Sequence, residues 1–101
     1  YPVLVNTRAE TDFARRIGVE LVGADKVIAQ GPALMGSEDF AFMLEKSSGT
    51  YLLVGNGNES GPNGCMVHNP GYDFNDGNVA VGTAYWTLLV ERYLTDEPLP
   101  A

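Results

Sequence analysis

Gly49-Thr50-Tyr51-Leu52-Leu53-Val54-Gly55 is the stretch on which the reading of this chain turns. Thr50 to Val54 is a continuous apolar run of strand length, the pattern of a strand covered on both faces in an α/β sheet. Immediately upstream, Gly36-Ser37-Glu38-Asp39-Phe40 reads as a helix start. Ser37 is the expected N-cap, Glu38 and Asp39 put negative charge in the first turn, and Phe40, Met43 and Leu44 form an apolar stripe. Lys26 to Ala29 reads as a short strand broken by Gln30-Gly31-Pro32. Further back, Thr7 and Glu10 have capping-box spacing, and Phe13, Ala14, Ile17, Leu21 and Val22 recur at helical spacing up to Gly23. Tyr1 to Val5 is rich in β-formers and reads as a strand ending at Asn6.

Downstream of the run, Gly55 to Gly64 is a loop of Gly, Asn, Ser and Pro, long enough to suggest a functional or partner-facing role. Asn75 or Asp76 is the expected cap of a last helix. Its apolar residues, from Val79 through Trp86 to Tyr93, cover most of the circumference and require packing on more than one side. Thr95 to Ala101 reads as a C-terminal tail. Strands and helices alternate, so the expected fold class is α/β, in one domain.

The composition narrows the function. There are 13 acidic and 6 basic residues, a formal charge of −7, and no basic cluster; this argues against nucleic acid or an anionic membrane as the partner. Cys65 is the single cysteine and cannot form an internal disulfide, which points to a reducing, cytoplasmic setting. The apolar stretch Val79 to Val90 is too short to cross a bilayer. Tyr1-Pro2-Val3-Leu4-Val5-Asn6 lacks the pattern of a signal peptide and reads as a strand entered in mid-structure, as in one piece of a longer protein.

Chemistry-bearing residues are few. His68 is the only histidine and lies in a polar turn, Cys65-Met66-Val67-His68-Asn69-Pro70-Gly71, where an imidazole is placed to meet a metal or a substrate. Ser37 is a helix cap on one reading and a nucleophile with His68 as its base on another, with Asp73 or Asp76 orienting the ring. No Gly-x-Ser-x-Gly elbow surrounds it. Gly55-Asn56-Gly57-Asn58 follows the apolar run but has no helix start after it and no lysine to complete a phosphate loop.

Three blocks in order, Met35-Gly36-Ser37-Glu38-Asp39-Phe40, then Tyr51 to Asn58, then Val67-His68-Asn69-Pro70-Gly71-Tyr72-Asp73-Phe74-Asn75-Asp76, resemble the carboxyl-terminal portion of a metal-dependent aminoacylase and carboxypeptidase family. The group most similar contains hippurate hydrolase, N-acyl-amino-acid amidohydrolases and indole-acetyl-amino-acid hydrolases. The resemblance implies the carboxyl-terminal part of a mixed-sheet metallopeptidase catalytic domain with an inserted lid or dimerisation domain. Residues 1–6 would be the last strand of that lid, and residues 7–101 the carboxyl-terminal part of the catalytic domain.

The same resemblance implies two divalent metal ions in the full-length enzyme, zinc, manganese, cobalt or nickel, which polarise an amide carbonyl and activate water. It makes His68 a terminal metal ligand. It makes Gly36 and Ser37 the substrate-side turn, whose N-H groups at a helix start hold the carboxylate of an N-acyl amino acid. The expected partners are that small molecule, the missing amino-terminal part of the catalytic domain and, through the lid, a second copy of the chain; nucleic acid and membrane are not expected.

The sequence departs from the family pattern in one large respect. The family's other metal ligands and its general-base glutamate belong to the amino-terminal part, and this chain has no second histidine, so no catalytic residue is assigned here. The isolated chain is expected to be inactive and to bind metal weakly or not at all. A non-catalytic interaction module of a larger protein is the alternative, using the last helix and the Gly55 to Gly64 loop; a small serine or cysteine hydrolase using Ser37 or Cys65 is a third.

Overall fold

The computed structural model describes residues 1–58 and 60–95. Helix α1 spans Arg8–Val22, a single 3-10 turn follows at Ala24–Lys26, α2 is the five-residue helix Phe40–Leu44, and α3 spans Gly77–Thr95. Thr95 closes α3, so the tail expected from Thr95 to Ala101 starts one residue too early, and its remaining residues 96–101 lie outside the described residues.

The apolar spacing on α1 has the predicted consequence. Phe13, Ala14 and Ile17 fall on one face and are buried there, with Ile17 only 1% exposed. That face packs on α3. Tyr93 meets Phe13 edge-on at 6.0 Å between ring centres, and the Tyr85 hydroxyl crosses the same contact to donate to the Ala14 carbonyl at 2.9 Å. Burial pushes the Tyr85 phenol above its ordinary 10.0, because a phenolate there would lose its water. At the rim, the Arg92 guanidinium grips the Glu20 carboxylate, with Nε 3.1 Å from Oε1 and 3.2 Å from Oε2. Burying an isoleucine as fully as Ile17 stabilises the pair by about 1.5–3 kcal/mol. This two-helix contact is the chief apolar core of the described residues.

The α/β expectation is overturned. No strand or sheet forms among the described residues, and the fold is helical. Tyr1 to Val5, Lys26 to Ala29 and Thr50 to Val54 are therefore not strands, and residues 1–6 are not the last strand of anything within this chain. The physical reason lies in what a strand requires. Apolarity marks residues that favour cover, whereas a ladder needs a second backbone alongside to exchange N-H and C=O groups.

Here the segment nearest to Tyr51 in bonding is Asn6, and it offers a side chain in place of a strand. The Asn6 carboxamide accepts the Tyr51 N-H at 2.8 Å and donates to the Tyr51 carbonyl at 3.1 Å. The rest of the run is uncovered, with Leu53 69% exposed. The whole chain has 8157 Å² of accessible surface, against about 5,600 Å² for a compact monomer of its mass.

Two further expectations change. Thr7 stands at the N-cap position of α1, but its side chain makes no capping bond; it is drawn instead to Gly49, its N-H donating to the Gly49 carbonyl at 2.9 Å and its hydroxyl accepting the Gly49 N-H at 3.1 Å. That exchange ties the start of α1 to the end of the α2 segment. In α3, packing on more than one side is not found. The helix packs on α1 alone among the helices, and Trp86 remains 65% exposed.

Candidate functional site

His68 sits at the tip of a loop whose two ends are clamped together. The clamp is built from asparagines. The Asn56 amide nitrogen donates to the Asn63 carbonyl at 3.0 Å and to the Asp73 carbonyl at 2.8 Å, while its amide oxygen accepts the Asn75 N-H at 2.8 Å. Both N-H donors and the oxygen of one planar carboxamide are thus engaged. Asn63 closes the loop directly, its side-chain nitrogen donating to the same Asp73 carbonyl at 3.0 Å. Asn75 returns the contact by donating to the Asn56 carbonyl at 3.0 Å, and Asn78, one residue into α3, donates to the Gly55 carbonyl at 3.0 Å. Asn75 also bonds the N-H of Gly77 at 3.0 Å, which makes Asn75 rather than Asp76 the side chain at the start of α3.

Residues 64–72 hang between these anchored ends and are braced from within. The Asn69 side chain accepts the Gly71 N-H at 2.8 Å, and its carbonyl accepts the Tyr72 N-H at 2.9 Å. Gly71 lies at a close approach: a Cβ built there would lie 3.2 Å from Cys65 Sγ and 3.3 Å from Asn69 Oδ1. At the centre, His68 adopts φ 70°, the one left-handed non-glycine backbone among the described residues. Histidine tolerates that region better than most side chains, but it still costs on the order of 1–2 kcal/mol. The ring is exposed, and no hydrogen bond to either of its nitrogens is found among the described residues.

The other residues singled out from the sequence are placed differently. Gly36 and Ser37 are exposed and lie before α2, which begins only at Phe40. Ser37 is therefore not the N-cap, and its N-H is not one of the free donors of a helix end. Glu38 supplies the local order. One of its carboxylate oxygens accepts the Phe40 N-H at 3.4 Å, and the other accepts the Tyr51 hydroxyl at 2.9 Å. The Tyr51 hydroxyl holds the Glu38 carboxyl below the usual carboxylate range, and Glu38 in turn raises the Tyr51 phenol. Phe40 and Tyr51 stack obliquely at 5.6 Å, so this turn is fixed to the apolar run.

No hydrogen bond joins His68 to Ser37, Cys65, Asp73 or Asp76 among the described residues, so no serine or cysteine triad is assembled. No group of three or more His, Cys, Asp or Glu side chains able to hold a metal is found among them either. The chain offers one exposed imidazole, which fits a single ligand position and not a complete site. The sequence reading missed Asn56, Asn63 and Tyr51 as organising side chains. The available signal was the density of asparagine between residues 56 and 78, where six occur.

The chain belongs to the peptidase family M20/M25/M40, whose family model matches residues 1–92. Members of that family are generally metal-dependent. Among curated proteins it is similar to the IAA-amino acid hydrolase ILR1-like 6 of Arabidopsis thaliana, 30% identical over 96% of this chain and 21% of the relative. It is similar also to the hippurate hydrolase of Campylobacter jejuni, 33% identical over 92% of this chain and 23% of the relative. The thermostable carboxypeptidase 1 of Saccharolobus solfataricus is 38% identical over 68% of this chain and 16% of its own length. The chain spans about a fifth of the length of the first two of these relatives. No solved structure matches it. No helix among the described residues is long and apolar enough to cross a membrane.

Proposed function

We propose that this chain is the carboxyl-terminal part of a metal-dependent amidohydrolase that releases an amino acid from an N-acyl or N-aroyl conjugate, and that His68 is its contribution to the metal centre. One observation carries the reading: in a chain of this family, the only histidine is exposed, has no bonded ring nitrogen among the described residues, and occupies a strained backbone position inside a braced loop. Strain of this kind persists only where the surroundings impose it, and it gathers at functional sites. A neutral imidazole is a ligand suited to zinc, manganese, cobalt or nickel alike. The bound metal pair would supply a polarised amide carbonyl and an activated water.

The chain's own residues have narrower tasks. His68 holds its metal from the loop tip. Gly36 and Ser37 lie on the substrate side; their support is the resemblance of the Gly36 to Phe40 block together with their exposure, since the helix-end argument for them does not apply. Residues 1–6 belong to the lid or dimerisation domain, through which two copies pair, and residues 7–101 belong to the catalytic domain, completed by its amino-terminal part. The setting is cytoplasmic, in keeping with the free thiol of Cys65. Alone, these 101 residues are inactive, because one imidazole does not hold a metal pair.

The test is hydrolysis of a panel of N-acyl and N-aroyl amino acids by the complete gene product. Release of free amino acid by the wild type, lost on His68→Ala, is the expected result. Full activity of the His68→Ala protein, or turnover by the isolated 101 residues, contradicts the proposal.

A further inference from the structure

We infer that Asn56 is the positioning residue for the metal ligand: it fixes where His68 stands without approaching the metal or the substrate itself. The inference rests on the reading of His68 as a ligand, and it deepens that reading by naming the group that holds the ligand in place.

Asn56 and His68 lie twelve positions apart in the sequence, yet the two ends of the loop that carries His68 meet on one carboxamide. The Asn63 carbonyl enters from one side and the Asp73 carbonyl from the other, at 3.0 and 2.8 Å. The distance between the ends is therefore set by the spacing of the two N-H bonds of a planar amide, which is rigid. Asn56 is in turn held on its far side by Asn75, through the N-H at 2.8 Å and through the returning side-chain bond at 3.0 Å, so its own orientation is fixed by the start of α3. Any rotation of Asn56 would shift the Asn63 end relative to the Asp73 end and carry the loop tip with it. His68 depends on that constraint more than its neighbours do. It sits at φ 70°, a conformation that relaxes once the loop ends are released.

The chemistry at this position admits little substitution. Aspartate has the same shape but no N-H, so Asn56→Asp would set one carboxylate oxygen against two carbonyl oxygens while the other keeps the bond from the Asn75 N-H. Alanine removes all three side-chain bonds. Asn63 is the second lock, since it closes the loop on the same Asp73 carbonyl at 3.0 Å without Asn56. Groups that orient a metal ligand from outside the coordination shell change metal affinity by roughly 10- to 100-fold when removed.

The experiment uses the complete gene product, loaded with zinc, with metal affinity measured by competition against a chromophoric chelator. Asn56→Asp is expected to weaken zinc binding by roughly 10- to 100-fold while its circular dichroism remains that of the wild type. Activity is expected to return to near the wild-type kcat when zinc is raised to saturate the weakened site. A residue with a merely structural role would change thermal stability and leave the affinity of the folded protein alone. Should Asn56→Asp fail to fold, Asn63→Ala carries the same test with a smaller shift in the same direction.

His68→Ala measured alongside separates the two ideas. Retention of both metals by His68→Ala overturns the ligand reading. Loss of metal by His68→Ala together with wild-type affinity in Asn56→Asp and Asn63→Ala overturns the role of Asn56 alone.

Discussion

The α1 and α3 pair and the clasped loop of residues 60–76 are held by opposite means. In the helix pair, shape and apolar burial around Ile17 and Phe13 carry the contact, and only the Tyr85 hydroxyl and the Arg92 to Glu20 grip add polar direction. In the loop, exposed apolar residues such as Met66 and Val67 bury little, and side-chain amides aimed at main-chain carbonyls supply the order. The first kind of contact tolerates small slips, because dispersion and burial have no preferred direction. The second fixes position, because a hydrogen bond loses strength steeply when bent. A loop that presents a ligand gains from the second kind.

The largest test of this contrast is Ile17→Ala. It is expected to cost about 2–5 kcal/mol in urea unfolding of the complete gene product without changing the local exchange behaviour of the loop amides. A loss under about 1 kcal/mol would mean that the α1 face is less tightly packed than its 1% exposure indicates.

Asn56→Ala is the reciprocal change. Three bonds worth about 0.5–1.5 kcal/mol each are removed, and the Asn75 N-H loses its acceptor. Hydrogen exchange at Asn75 should speed up by about tenfold or more, while amides in the middle of α1 keep their protection. Equal acceleration in both regions would show that they open as one unit.

Gly71→Ala probes the brace inside the loop. The added Cβ meets Cys65 Sγ at 3.2 Å and Asn69 Oδ1 at 3.3 Å, so a cost of about 1 kcal/mol is expected, relieved in part when Cys65 is also changed to alanine. Additive effects of the two changes in thermal unfolding would contradict the contact.

The smallest effect belongs to the rim of the helix pair. The Arg92 hydrogen bond holds the Glu20 carboxyl below its ordinary 4.5, so its contribution is present above that value and is lost as the pH falls through the depressed one. The difference in Tm between the wild type and Glu20→Gln should therefore be visible at neutral pH and close under acid. A gap that widens on acidification would reverse the assignment.

These contrasts explain what could be read in advance. The α1 face was legible because Phe13, Ala14 and Ile17 repeat with the helix period, and the end at Gly23 followed from the same pattern. The start of α3 was legible to within one side chain, Asn75. Thr50 to Val54 misled because an apolar run reports a preference for cover and is silent about whether a pairing backbone is present. Ser37 misled for a related reason: it is a good cap residue, yet α2 began three residues after it. Thr7 does mark the start of α1, but its hydroxyl was claimed by Gly49. His68 could be singled out by its rarity and its turn. Its support could not, since asparagines that bond across 7, 17 and 19 residues leave no period in the sequence.

Metal content tests the central claim most directly. The complete gene product, purified and dialysed against trace zinc, is compared with its His68→Ala variant by elemental mass spectrometry, with circular dichroism confirming that both are folded. The account predicts two metal equivalents in the wild type and the loss of at least one on removal of the imidazole. Two equivalents retained in the variant would contradict it.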